Sequence, residues 1–335
     1  MTNKAVLVTG GAGFIGLNIV EALLRAGESV IIFDIHPVKS EVLEFLATQG
    51  PVRYVSGDVR EAAAVAALIR PEVIKCVVHA AAVTPDTSRE IATPRQVVDT
   101  NYGGTLNILE AIRVAPEIRL INVGTAGVYG SLSGPTDGPP LLETRQLAPK
   151  SLYAISKLAG ESLIERYATL FGVEAINFRV GYCFGPWEHE TGLRDPMSIQ
   201  LQLLRLAVAG KAAVLPRDGF KDWTYSRDVA EAVAHVVRNP GPIGPHNVTG
   251  PTQWAISEYT KLLAEHFAGF SASMASESDP SVNVSYNGSG DRPVFDLNGL
   301  TRILGYAPHY GLAEAASDYF AWADRWLRHG SGFVP

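Results

Sequence analysis

Short, almost wholly apolar runs alternate with longer amphipathic stretches through the first half of the chain. Runs such as Ala5-Val6-Leu7-Val8 and Val30-Ile31-Ile32-Phe33 are too continuous for strands with one wet face. They fit parallel strands buried on both faces. This pattern predicts strands at 5–8, 29–34, 52–56, 73–79, 119–123 and 174–179. Helical periodicity is expected between them over 14–26, 39–49, 61–69, 101–114 and 152–171. Six strands with helices between imply an α/β fold, a doubly wound parallel sheet in the order 3-2-1-4-5-6. The second half is less regular, with helices expected over 197–209, 226–238, 255–267 and 312–328 and a short strand over 213–215. A segment dense in Gly and Pro follows Pro240. Such a half suits a smaller mixed α/β lobe over the strand ends, with ligands in the crevice between.

Composition narrows this little. Of 335 residues 47% are apolar, the net charge is −6 and no cluster of Lys and Arg stands out, so nucleic acid is not an expected partner. The two cysteines, Cys76 and Cys183, have no metal-ligand spacing, and a reducing compartment is the simpler reading. No apolar run spans a bilayer, and the first strand leaves no room for a signal peptide. The expectation is a cytoplasmic protein with no metal and no membrane partner.

The first strand runs straight into Thr9-Gly10-Gly11-Ala12-Gly13-Phe14-Ile15-Gly16. Glycines at 11, 13 and 16, or at 10, 13 and 16, fit a dinucleotide fingerprint. They allow a tight turn, close approach of a pyrophosphate and close helix–strand packing, and the helix N–H groups then face the phosphates. The second strand ends on Asp34, at the distance expected of the acid that grips the adenosine ribose. A carboxylate there accepts from both hydroxyls and repels a 2′-phosphate, which points to NAD rather than NADP. The expected division is a Rossmann-like NAD-binding domain of residues 1–180, with about 212–249 returning to it. Residues 181–211 and 250–335 form the substrate lobe.

Tyr153 and Lys157 stand one turn apart on a predicted helix. An ammonium beside a phenol stabilises the phenolate, so this Tyr can take an alcohol's proton while a nicotinamide takes its hydride.

Taken together, these motifs resemble the extended (atypical) short-chain dehydrogenase/reductase family, in its NAD-dependent epimerase/dehydratase group. The resemblance rests on residues 9–16, Asp34, Gly57-Asp58, His79-Ala80-Ala81-Ala82, 101–105, 125–130, Tyr153 with Lys157, 179–186, 222–230 and 304–308. It implies NAD held by Gly10, Gly13, Phe14, Ile15, Gly16, Asp34, Asp58, Val59, Ala80, Ala81, Ala82, Asn101, Tyr153 and Lys157. It makes Thr125 the hydroxyl that holds the reacting oxygen near Tyr153, and gives Lys157 the nicotinamide ribose. It also implies a homodimer packed through helices 101–114 and 152–171.

Departures from the family bear on the reaction. Members that dehydrate or decarboxylate sugars carry an acid two residues after the position of Thr125, where this chain has Gly127. Proton removal beside a carbonyl needs a second acid/base. Tyr153 alone suffices for C4 epimerisation of a nucleotide sugar, or for dehydrogenation of a free sugar, sugar acid or polyol. A non-catalytic NAD-binding regulator is the third reading. Relatives acting on nucleotide sugars usually place an Asn where Tyr182 stands and an Arg where Lys221 stands, both phosphate ligands. The expected substrate contacts are Thr84, Thr125, Tyr182, Trp187, Lys221 and Arg292, with His189 and Arg194 nearby.

Overall fold

The computed structural model describes residues 4–286 and 290–328. One parallel sheet carries β1 (Ala5–Thr9), β2 (Val30–Asp34), β3 (Val52–Ser56), β4 (Ile74–His79), β5 (Arg119–Thr125) and β6 (Ala175–Val180). A seventh strand, Gly244–Val248, pairs in parallel with β6. The order is β3-β2-β1-β4-β5-β6, with Gly244–Val248 at the edge. The expected six-strand order is therefore present and extended by one. Alternate residues of β1 serve opposite cores, Val6 and Val8 on one face, Ala5 and Leu7 on the other. Both faces are covered by helices, so the run reads as continuously apolar.

On the first face the helix Phe14–Arg25 packs against Ser226–Arg238 and joins a core that continues into the C-terminal segments. On the second face lie Ala62–Leu68, Gly104–Ile112 and Leu152–Phe171. The last of these begins at Ser151, whose hydroxyl accepts from the Ala154 N–H at 3.1 Å, and ends at Gly172 in the left-handed region. Its buried stripe, Ala154, Lys157, Gly160, Glu161 and Ile164, has helical spacing and faces the sheet.

The remaining strands are short pairs that tie the second half together. Ala213–Leu215 pairs with Ala272–Met274, Phe220–Lys221 with Trp254–Ala255, and Thr224–Tyr225 with Cys183–Phe184. The strand at 213–215 thus joins C-terminal segments rather than the central sheet. The return to that sheet is made by Ser226–Arg238 and Gly244–Val248. Two expected helices are shorter than their apolar periodicity. Gly104–Ile112 is entered through a π-helical turn, Asp99–Gly103, and Leu312–Ala323 continues as one over Asp324–Arg328. No helix among the described residues is long and apolar enough to cross a membrane.

Candidate active site

A cavity of about 440 Å³ opens at the carboxyl ends of the strands, where β1 and β4 lie side by side and the strand order reverses. At its inner end is the turn after β1. Gly10 has φ +68°, and a Cβ there would sit 2.5 Å from the Ala81 backbone. A Cβ on Gly16 would stand 2.0 Å from the Gly10 carbonyl oxygen. These two positions need glycine to bring strand, turn and helix together. The helix start at Gly13 carries no side-chain cap, so its first N–H groups are open to an anion.

Asp34 lines the same cavity. One carboxylate oxygen accepts from the Ala12 N–H and the other from the His36 N–H, each at 3.0 Å. Burial pushes the carboxyl above its usual range, and the two N–H groups oppose that rise. Both oxygens keep lone pairs for a ligand's hydroxyls. Asp58 and Val59 line the cavity from the end of β3. Asp58 is clamped by Arg60, with guanidinium bonds of 2.8 and 2.6 Å. The cradle that Cβ atoms would fill, the open helix N-terminus and the bidentate acid together fit a dinucleotide.

Further along, Thr125 ends β5 and Tyr153 stands in the first turn of Leu152–Phe171. Thr125 Oγ1 accepts from the Gly127 N–H at 3.0 Å, which leaves its own proton to donate. Burial pushes the Tyr153 phenol above its ordinary value. Arg194 opposes that, and so do hydrogen bonds from the Thr125 and Thr84 hydroxyls. Thr84, Thr125 and Tyr153 all line the cavity. Gly127 lines it too and contributes no side chain.

Residues 6–249 match the NAD dependent epimerase/dehydratase family. The chain belongs to that family. It is accordingly an enzyme that uses NAD. A UDP-glucose 4-epimerase of Mycolicibacterium smegmatis is 28% identical over 92% of this chain and 95% of its own. A dTDP-glucose 4,6-dehydratase of the same organism is 32% identical over 71% of this chain and 70% of its own. The structure of a UDP-glucose-4-epimerase from Stenotrophomonas maltophila, with bound NAD and formylated UDP-arabinopyranose, superposes with a TM-score of 0.80. It covers 97% of this chain and 99% of that one at 23% identity, a likeness of fold.

Within this family member, several residues lie elsewhere than the motifs implied. Asn101 is buried behind the cavity wall. Its amide bonds both the N–H and the carbonyl of Val83 and reaches the Ser156 hydroxyl, so it fixes the loop after β4 instead of facing the cleft. Lys157 is 4% exposed and lies outside the cavity lining. Burial pushes its ammonium down to about 8, opposed by Glu161, and its charge also bears on the buried His79.

Trp187 is fully buried, with its indole N–H on Glu21 at 2.7 Å and its ring 4.8 Å from that of Trp326. It packs beneath the first helix, away from the cleft. Lys221 is also fully buried, with its ammonium on the Gly290 carbonyl at 2.8 Å and 5.0 Å from the Tyr182 ring centre. Arg292 does line the cleft but is paired with Asp222 at 2.8 Å and stacked on Phe295. Tyr182 lines the cleft as expected, and His189 lines it close enough to Asp34 to feel that charge.

No motif marks Trp223, Tyr286 and Phe295, which also line the cavity. Nor does any motif mark Arg89 and Asp195. These two join at 2.5 and 2.7 Å across 106 residues of sequence.

Proposed function

We propose that this enzyme epimerises a nucleotide sugar at C4, by removing hydride and returning it to the opposite face of the same carbon. One observation carries the reading: Tyr153 and Thr125 line the cavity together, and Gly127, two residues after Thr125, lines it without a side chain. Among the described residues the only carboxylates lining it are Asp34 and Asp58, at the ends of β2 and β3 and not beside Thr125. Cys183 lines it as well, but burial pushes its thiol far above the neutral range. A 4,6-dehydratase has to remove a carbon-bound proton and expel water, which requires an acid and a base. At residue 127 there is no side chain to supply either.

Bound NAD would supply the hydride acceptor and donor together with a positive charge. Gly10, Gly13, Gly16 and Asp34 are the residues we assign to hold it. Tyr153 takes the proton of the C4 hydroxyl as the carbon-bound hydrogen leaves, and returns it when the ketone is reduced. Thr125 and Thr84 hold that oxygen at the phenol. The measurement is solvent deuterium incorporation. With a UDP-hexose or UDP-hexuronate in D2O we expect the C4 epimer with no carbon-bound deuterium. Deuterium at C5, or a product lacking water, would contradict the reading.

One observation favours a second reading, net oxidation of a free sugar acid or polyol. Lys221 lies behind Tyr182, and Arg292 is committed to Asp222, so both cations proposed for a diphosphate already have partners. We also infer a homodimer through the helices Gly104–Ile112 and Leu152–Phe171, since Ile155, Leu170 and Phe171 are exposed on the second. Sedimentation as a single 35.9 kDa species would refute it.

A further inference from the structure

Residues 193–195 fasten one wall of the cleft to another. The Thr84 N–H donates to the Leu193 carbonyl at 2.7 Å, and the Asp195 N–H donates to the Thr84 carbonyl at 3.0 Å. Thr84 and Arg194 thus form a parallel bridge between the loop after β4 and the segment ahead of the helix Ile199–Val208. The Asp195 carboxylate closes the join. It accepts from Arg89 at 2.5 and 2.7 Å and from the Asp86 N–H at 3.1 Å. Thr84, Leu193 and Arg194 all line the cleft, so the segment lies across it as a strap.

The strap carries a cation to the glycine turn. The Arg194 guanidinium lies 5.2 Å from the ring centre of Phe14, the first residue of the helix Phe14–Arg25. That helix starts at Gly13 with no side-chain cap, and Gly13 and Phe14 line the same cleft. Glu188, fully buried, orients the guanidinium by accepting from Nη2 at 3.0 Å and from Nε at 3.3 Å. Neither bond uses Nη1. Among the described residues two other arginines line the cleft, and both are placed elsewhere. Arg60 is held by Asp58 beyond β3, and Arg292 is paired with Asp222.

We propose that the strap Leu193-Arg194-Asp195 is a lock on the cofactor: Arg194 joins the helix start in holding the diphosphate of NAD, and the Arg89–Asp195 pair keeps the strap shut. The proposal rests on assigning the glycine turn to NAD and does not depend on which reaction the cofactor serves. A guanidinium set against open helix N–H groups suits a doubly charged anion. A sugar nucleotide carries a diphosphate too. The contact with Phe14, next to the glycine turn, favours the cofactor's.

The test reads binding rather than turnover. The full chain is titrated by calorimetry with NAD, ADP, UDP and adenosine, and NAD release from the loaded protein is timed after dilution. Arg194→Gln should weaken NAD and ADP about 10–100-fold, the usual worth of a hydrogen bond to a charged group, and leave adenosine unchanged. Arg194→Lys should recover part of that loss. Arg89→Gln removes the latch without removing Arg194, and should speed NAD release about fivefold, the upper worth of a part-exposed ion pair. Unchanged NAD and ADP binding in Arg194→Gln would overturn the proposal. A loss confined to UDP would also overturn it, by placing Arg194 on the substrate's diphosphate. Should Arg194→Gln fail to fold, Arg89→Gln decides alone, and release at the wild-type rate would refute the lock. Asp34→Ala checks the cofactor assignment separately: adenosine binding unchanged in that variant would remove the assignment, and the proposal with it.

Discussion

Asp34 accepts one backbone N–H on each carboxylate oxygen, and this fixes the plane in which it meets a ribose. Asp34→Ala should therefore narrow the preference for NAD over NADP, read as the ratio of the two dissociation constants. Tighter binding of NADP by the wild-type protein would refute the role. Tyr153→Phe removes only the oxygen that moves the proton. Turnover should fall about 10²–10⁴-fold, the usual worth of general acid–base catalysis, with NAD binding retained. Near-normal turnover would remove the phenol from the mechanism. Tyr153 and Thr125 were legible in the sequence because each sits at a fixed offset within one element. Arg194 was legible as a residue near the site, and it lines the cavity, but its pairing with Thr84, 110 residues earlier, was not. Trp187 and Lys221 lie within segments that line the cleft, but packing turns each inward. Spacing along the chain does not show that.

Among the elements, the glycine turn makes the sharpest demand. Gly16→Ala puts a methyl group 2.0 Å from the Gly10 carbonyl, whereas at Gly13 the same atom is 3.3 Å away. Overpacking of this kind typically costs about 1–3 kcal/mol. Gly16→Ala should lose that much in urea unfolding, along with most NAD affinity, and Gly13→Ala clearly less. Equal effects would mean that helix–strand contact does not set the requirement. Strands β1, β2 and β4 could be read from their apolar runs, since burial on both faces leaves no polar alternation, whereas β3 is a part-exposed edge strand. Gly244–Val248 could not. It carries Pro245 and His246, and an edge position tolerates a residue without an N–H. Behind the catalytic helix, Arg179 pairs with Glu161, and Asn177 donates to the same carboxylate at 2.6 Å. Arg179→Met leaves that buried acid uncompensated and should cost about 3–5 kcal/mol by urea unfolding.

At the scale of the whole molecule, a buried histidine couples the fold to pH. His79 is fully buried between the Thr9 and Thr105 hydroxyls, at 2.8 and 3.1 Å, and burial pushes its pKa down to about 3. The unfolded chain binds this proton near pH 6.5 and the folded one does not, so stability is lost as pH falls from 6.5 towards 3. The slope is about 1.4 kcal/mol per unit, or about 2 kcal/mol between pH 6.5 and 5. Urea titrations of wild type and His79→Gln across that range should differ by this slope, and parallel curves would show that His79 is not the group.

The central claim is that hydride leaves and returns to one carbon within a single NAD-bound active site. It is tested most directly by supplying UDP-hexoses and UDP-hexuronates to enzyme holding stoichiometric NAD, while following absorbance at 340 nm and stereochemistry at C4. The account predicts many turnovers of C4 inversion with no accumulation of NADH. Sustained NADH formation from added NAD, without inversion of any nucleotide sugar, would contradict it.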